Sequence, residues 1–313
     1  EILKIYFNMD LSVVTSTFNS GIFIKEFIER INNIINNNKL TAEIIIVDDG
    51  STDNSLNLLV DLAKQNSNIK VIELSRNFGH HNALLCGLEN SIGELIFLID
   101  GDLEEEPEDF YTFYKILNLN KLDMVFGTQS KRRGNLIEKI SGNIYYLFLN
   151  YILKVKIPFN IATSRLMTRK YLNSFLLFKE SLVVISGLTK LAGFKIDSIE
   201  IQKKRRRKST YNLSKKIQIL IRSITNYSAV PLYLVFYSGL VISFFALITI
   251  IFVIANSFFN QITVPGWLSL FCISWLGIGL TLLSNGLIAI YLKTIFIEVK
   301  NRPRTIIRNI YQY

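Results

Sequence analysis

Glu94-Leu95-Ile96-Phe97-Leu98-Ile99-Asp100-Gly101-Asp102 is the stretch on which the reading of this chain turns. Glu94–Ile99 is β-rich, mostly apolar and too short for a typical helix, so it predicts a buried strand. A buried strand ending in two acids delivers them to the carboxyl edge of a sheet, where open α/β sheets bind ligands. Adjacent carboxylates repel and need a compensating cation. A hard divalent ion, Mg²⁺ or Mn²⁺, suits carboxylate and phosphate oxygens. The competing reading is an acidic turn that caps the next helix.

Upstream and downstream, strand and helix signals alternate. Strands are predicted at Leu11–Ser16, Glu43–Asp48, Ile69–Leu74, Glu94–Ile99 and Asp123–Gly127. Helices are predicted at Gly21–Asn37, Asn54–Gln65, Gly79–Asn90 and Pro107–Leu117. This alternation predicts a mostly parallel sheet with right-handed crossovers. The second strand also ends in acids, Asp48-Asp49-Gly50-Ser51-Thr52-Asp53. A helix cap needs one acceptor, so two aspartates leave one to accept from a base N–H or ribose hydroxyls. No G-x-G-x-x-G follows the first strand and no G-x-x-x-x-G-K-[ST] occurs, which disfavours a dinucleotide fold and excludes a P-loop.

The C-terminal third reads differently. Pro231–Ala255 is 25 residues without a charge and Trp267–Leu292 another 26. Each is long enough to cross a bilayer and neither has a polar face. Lys203–Arg222 carries nine Lys/Arg and no acid, Lys293–Arg308 carries five and one acid, and Asn256–Pro265 between the spans has none. The positive-inside rule then places both ends in the cytoplasm. Asn212–Tyr227 has apolar residues at helical spacing and predicts a helix lying on the anionic leaflet. Gly134–Pro158 fits either a membrane-resting segment or a helix packed on the sheet.

The chain has 313 residues, half of them hydrophobic, with 35 Lys+Arg against 25 Asp+Glu. Membrane topology accounts for most of that excess. The run Lys203–Lys208 lacks interleaved aromatics, so no nucleic-acid partner is expected. Cys86 and Cys272 lie far apart, and no disulfide is expected. No cleavable signal peptide is expected, since the first apolar run, Leu11–Val14, is too short.

Taken in order, several segments resemble inverting nucleotide-sugar glycosyltransferases of the GT-A fold. The likeness is greatest to polyprenyl-phosphate sugar synthases, the bactoprenol glucosyltransferase and dolichol-phosphate mannose synthase type. The segments are Val47–Asp53, Leu74-Ser75-Arg76-Asn77-Phe78-Gly79-His80, Asp100-Gly101-Asp102-Leu103, Pro107-Glu108, Arg165-Leu166-Met167 and Ser209-Thr210-Tyr211.

The resemblance implies roles. Asp48 and Asp49 would hold base and ribose, and Arg76, Asn77 and Gly79 lie in the loop facing the nucleotide. Asp100 would contact the nucleotide and help hold the metal. Asp102 would bind the metal bridging the diphosphate, and Glu104 stands where the family often has a metal-coordinating Gln. Arg132 and Arg165 would meet the diphosphate or acceptor phosphate. The implied cofactor is Mg²⁺ or Mn²⁺. The implied partners are a UDP- or GDP-sugar, a polyprenyl-phosphate acceptor and the membrane, with a homo-oligomer assembling through the spans. Thr163 stands where the family has an acid and Ser186 where it has an arginine, so two alternatives stay open. One is a hydroxyl acceptor on another lipid or glycan, and the other a nucleotide-sugar-binding protein without turnover.

The expected architecture is an α/β GT-A domain over 1–208, an amphipathic juxtamembrane helix over 209–230, a two-helix transmembrane hairpin over 231–292 and a basic tail over 293–313. The expected location is the inner (plasma) membrane, multi-pass, with the catalytic domain and both termini cytoplasmic.

Overall fold

The computed structural model describes residues 9–129, 161–178, 192–204 and 267–313, and scattered positions between 232 and 251. Strands β1 (Leu11–Thr17), β2 (Ala42–Asp48), β3 (Ile69–Leu74) and β4 (Leu95–Leu98) alternate with four helices. These are α1 (Gly21–Asn38), α2 (Ser55–Gln65), α3 (His80–Glu89) and α4 (Asp109–Leu119). Then come β5 (Met124–Gln129), β6 (Ile161–Thr168), α5 (Arg169–Phe175), β7 (Ile196–Ile201), α6 (Trp267–Lys300) and β8 (Ile307–Tyr311).

The strands form one eight-stranded sheet in the order β7-β5-β6-β4-β1-β2-β3-β8. Its centre, β4-β1-β2-β3, is wholly parallel. β6 runs antiparallel to β4 and β5, and β8 antiparallel to β3. The chain runs outward from β1 through β2 and β3, then returns to place β4 on the other side of β1. That reversal makes the β1–β4 boundary the topological switch point, where such sheets bind ligands.

Alternation along the strands gives the sheet two apolar faces. Leu11, Val13, Ile44, Ile46 and Val71 pack with Phe27 and Ile31 of α1, Leu59 of α2 and Phe110 and Phe113 of α4. The opposite face receives α3 through Gly87. A Cβ there would lie 2.5 Å from Val14 Cγ1 and 3.1 Å from Val47 Cγ2, so only glycine allows the helix this close.

A buried polar clamp fixes the start of β4. Glu43 Oε1 accepts from Ser12 Oγ at 2.6 Å and from the Ile92 N–H at 2.8 Å. Ser12 Oγ in turn accepts the Gly93 N–H at 2.8 Å. With its origin fixed, β4 carries Asp100 to a defined place at the sheet edge.

Three strands escape the sequence reading: β6, β7 and β8. The last corrects the expectation of a basic tail over 293–313. α6 continues to Lys300, and Ile307–Tyr311 completes the sheet beside β3. Buried Glu73 on β3 explains the docking. It accepts from Arg308 Nη1 at 2.9 Å, Asn309 Nδ2 at 3.0 Å and the Tyr311 hydroxyl at 2.9 Å. The charge of this segment therefore serves the sheet as well as its surroundings.

The sheet and its helices form one unit of the chain, and α6 belongs to a second. Within α6, Gly277–Lys300 is long and apolar enough to cross a membrane and has no buried share. It is the single candidate span among the described residues. The other expected span, Pro231–Ala255, is described only at scattered helical positions. The juxtamembrane helix over 209–230, Gly134–Pro158 and Arg132 lie outside the described residues.

Candidate active site

β4 ends at Leu98, and the chain turns through Asp100, Gly101 and Asp102 at the switch point. The turn is tight: a Cβ on Gly101 would sit 3.0 Å from Thr15 Oγ1 of β1. Leu103 follows with φ +56 while its side chain is buried, a left-handed conformation that bulky residues seldom adopt. Such strain persists where the surroundings over-determine it, typically at a functional turn. Here Asp102 Oδ1 accepts the Glu104 N–H at 2.9 Å, and the Glu104 carbonyl accepts the Lys204 N–H at 2.7 Å.

The two aspartates sit in different fields. Burial pushes the Asp102 carboxyl up, and the charges of Asp100 and Glu104 push it further. Burial also works against the Asp100 carboxylate, but His80, Lys203 and the Thr163 hydroxyl outweigh it and hold the carboxyl below its ordinary value. His80 Nε2 lies 3.1 Å from Asp100 Oδ1, and His80 Nδ1 lies 2.9 Å from Ser16 Oγ. The histidine thus ties the β1 loop to the β4 loop. Asp100 Oδ1 is buried and makes no hydrogen bond of good geometry, with His80 Nε2 its near neighbour. Thr15 Oγ1 and Thr17 Oγ1, at the end of β1, are buried and unpartnered too.

Glu105 and Lys203 complete the cluster, and the sequence reading singled out neither for it. Glu105 is fully buried and accepts the main-chain N–H groups of Thr163 at 3.0 Å and Ser164 at 2.8 Å. Lys203 Nζ lies 3.4 Å from Glu105 Oε1 and 3.5 Å from Glu104 Oε2. In sequence Glu105 is one of three consecutive glutamates and Lys203 the first of six consecutive basic residues. Only the pairing of β7 with β5 brings these two runs together.

The acids at the end of β2 are engaged with their own loops. Asp48 accepts the Ser51 N–H at 3.0 Å and the Ser51 hydroxyl, closing the turn. Asp49 accepts the N–H of Phe78 at 2.7 Å and of Gly79 at 3.0 Å. Both are buried, and burial raises both carboxyls despite these bonds. Gly50 lets the two loops touch. It has φ +72, and a Cβ would meet the Arg76 carbonyl carbon at 2.6 Å. Arg76 and Asn77 stand exposed on that loop, with the Arg76 guanidinium 4.3 Å over the Phe78 ring. Gly79, φ +95, opens α3 onto free space.

Arg165 is placed in the interior. It is 4% exposed, with Nε donating to the Thr163 carbonyl at 3.0 Å and Nη2 to the Ala162 carbonyl at 3.2 Å. Burial lowers its pKa, against the pull of Tyr171, Glu105 and Asp100. Arg165, expected at the diphosphate or acceptor phosphate, makes these main-chain contacts on the strand beside β4.

Among the described residues, no group of three or more His, Cys, Asp or Glu is arranged to hold a metal on its own. Mg²⁺ ordinarily takes one or two carboxylates and completes its shell with water and substrate phosphates. Asp100, whose buried Oδ1 accepts no hydrogen bond of good geometry, and Asp102, two residues on, fit that mode. Glu104 adds a third carboxylate on the same loop.

A largely parallel α/β sheet with paired acids at its switch point defines a GT-A-like fold. Residues 12–176 match the model of glycosyl transferase family 2. The chain is 35% identical over 303 residues to a protein of Mycobacterium tuberculosis (strain CDC 1551 / Oshkosh) described among putative glycosyltransferases, covering 97% of this chain and 89% of that one. It is 28% identical over 307 residues to the prophage bactoprenol glucosyl transferase homolog of Escherichia coli (strain K12), covering 96% and 99%. Glucosyl-3-phosphoglycerate synthase from Mycobacterium tuberculosis, solved with Mn²⁺ and UDP-glucose, shares the fold with TM-score 0.51 at 18% identity, over 69% of this chain and 77% of that one. The chain belongs to glycosyl transferase family 2 and is a glycosyltransferase.

Proposed function

We propose that the protein is a membrane-bound inverting glycosyltransferase. It moves a hexose from a UDP- or GDP-sugar to polyprenyl phosphate at the cytoplasmic membrane face. The carrying observation is the acidic turn at the β1–β4 switch point, where Asp100, its buried Oδ1 facing His80 Nε2 at 3.1 Å, stands two residues from Asp102. The acceptor reading rests on likeness to the bactoprenol glucosyl transferase homolog along nearly the whole of both chains. The apolar stretch Gly277–Lys300 supports a membrane anchor. We read it as half of the hairpin expected over 231–292, with both chain ends on the cytoplasmic side.

In this reading Asp102, Asp100 and Glu104 would supply carboxylate oxygens to Mg²⁺ or Mn²⁺, with donor phosphates and water completing the shell, and the metal's charge would stabilise the departing nucleoside diphosphate. The β2 and β3 loops, locked together by Asp49, shape the nucleotide side. His80 and Lys203 balance Asp100 and keep the acidic turn ordered. An acceptor phosphate arrives ionised and needs no proton removed. That suits a site where Thr163 replaces the family's acid and Glu105 is committed to the main chain and Lys203.

The test uses the full chain in vesicles containing polyprenyl phosphate and a panel of radiolabelled nucleotide-sugars. One donor should give lipid-extractable label that mild acid releases. Asp102→Asn should abolish it. Acid-stable product would move the acceptor to a hydroxyl, and full activity of Asp102→Asn would end the metal role.

A further inference from the structure

The start of the basic run Lys203–Lys208 is laid along the acidic loop after β4. Lys203 Nζ is 3.4 Å from Glu105 Oε1, 3.5 Å from Glu104 Oε2 and 3.9 Å from Asp100 Oδ2. Lys204 follows, its N–H on the Glu104 carbonyl at 2.7 Å and its ammonium paired with Glu106. Lys204 thus anchors the segment through contacts independent of Lys203.

Two of the three carboxylates around Lys203, Asp100 and Glu104, are among those read above as metal-holding. An ammonium and a directly ligated dication draw on the same oxygens and repel each other at this range. The Lys203 side chain is 24% exposed, so it has a path toward solvent without breaking the sheet. Glu105, fully buried, stays tied to β6 through two main-chain N–H groups whichever way Lys203 points.

We propose that Lys203 is an internal cation that competes with the divalent metal for the Asp100 and Glu104 carboxylates, and turns away from the loop when the metal binds. This rests on the metal reading of the acidic turn. It makes Lys203 a positioning residue that sets metal affinity, distinct from one that holds the donor.

The test titrates Mn²⁺ alone, without nucleotide, into the full-length protein in detergent, following free Mn²⁺ by electron paramagnetic resonance. Lys203→Met should bind Mn²⁺ about tenfold or more tightly than the parent. Equal or weaker binding by folded Lys203→Met, with the parent binding normally, overturns the competition and leaves the metal reading standing. No binding by either protein overturns both. A second measurement needs no variant at Lys203. Acylation of the Lys203 amine, read by mass spectrometry, should quicken when Mn²⁺ is added to the parent protein. The quickening should vanish in Asp102→Asn. Labelling that Mn²⁺ leaves unchanged in the parent overturns the inference.

Discussion

Asp49 Oδ2 accepts the main-chain N–H of Gly79 at 3.0 Å while Oδ1 accepts that of Phe78 at 2.7 Å. The acid that closes β2 therefore holds the loop that opens α3. Asp49→Asn keeps one acceptor oxygen, so one of these amides loses its partner at a cost of about 1–3 kcal/mol. Amide exchange at Phe78 and Gly79 should quicken, and the donor KM should rise with kcat less affected. If donor affinity collapses while both amides stay protected, Asp49 acts on the nucleotide directly.

Glu73 gives the fold a pH-dependent seam. Burial opposes its charge, but Asn309, Tyr311 and Arg308 outweigh that and hold its carboxyl below the ordinary value of 4.5. A depressed carboxyl adds stability that is present above its unfolded-state value and lost as pH falls through the folded-state one. Glu73→Gln should therefore cost about 1–3 kcal/mol at neutral pH, and the gap to the parent should close below pH 4.5. Thermal melts across pH, with hydrogen exchange at Ile307–Tyr311, measure it. A gap that stays constant into acid would show that Glu73 contributes packing alone.

The sheet centre was legible because β2 and β4 are built on continuous apolar runs and β1 and β3 on short β-branched ones, all between turn signals. Val13-Val14, Ile44-Ile45-Ile46-Val47 and Ile96-Phe97-Leu98-Ile99 are short and rich in β-branched residues, which favours strands over helices. β6 was not legible. Ile161–Thr168 mixes Thr163, Ser164 and Arg165 into the strand, and the main-chain N–H groups of Thr163 and Ser164 are met by Glu105 from a distant loop. β8 was hidden for the opposite reason: Arg308 and Asn309 read as solvated until Glu73 is placed beside them. The site divides the same way. Asp100 and Asp102 announce themselves as strand-end acids, whereas Lys203 matters only through contacts made about a hundred residues away in sequence.

Arg165 separates a bracing role from a phosphate role. Its guanidinium fork reaches two main-chain carbonyls at once, those of Thr163 and Ala162, from a side chain that is 4% exposed. A lysine carries its three donors on one nitrogen and lacks the planar fork that serves both carbonyls from separate nitrogens. Arg165→Lys should leave one buried carbonyl short of a donor and lower stability by about 1–3 kcal/mol, seen as a fall in Tm. Turnover should fall in step with the folded fraction. Unchanged Tm with lost turnover would return Arg165 to the reacting phosphates.

Asp109 is a carboxylate the fold holds at a disadvantage. Arg30 is taken by Glu106 at 3.1 Å and by Glu108, leaving Asp109 Oδ2 buried and unpartnered at the start of α4. Burial, then the charges of Glu106 and Glu108, push its carboxyl up to about 6 from an ordinary 3.8. A raised carboxyl costs stability as pH climbs from the unfolded value through the folded one, and the full cost is reached above it. Asp109→Asn removes that charge while keeping the shape. It should stabilise the protein by about 1 kcal/mol or more at pH 8, after some loss of favourable charge at the helix N-terminus. The gain should shrink through pH 6 and be gone near pH 3.8. Paired thermal melts at the two ends of that range read it directly. A variant less stable than the parent at pH 8, or equally favoured at both ends, would mean that Asp109 is paired through Arg30 in solution.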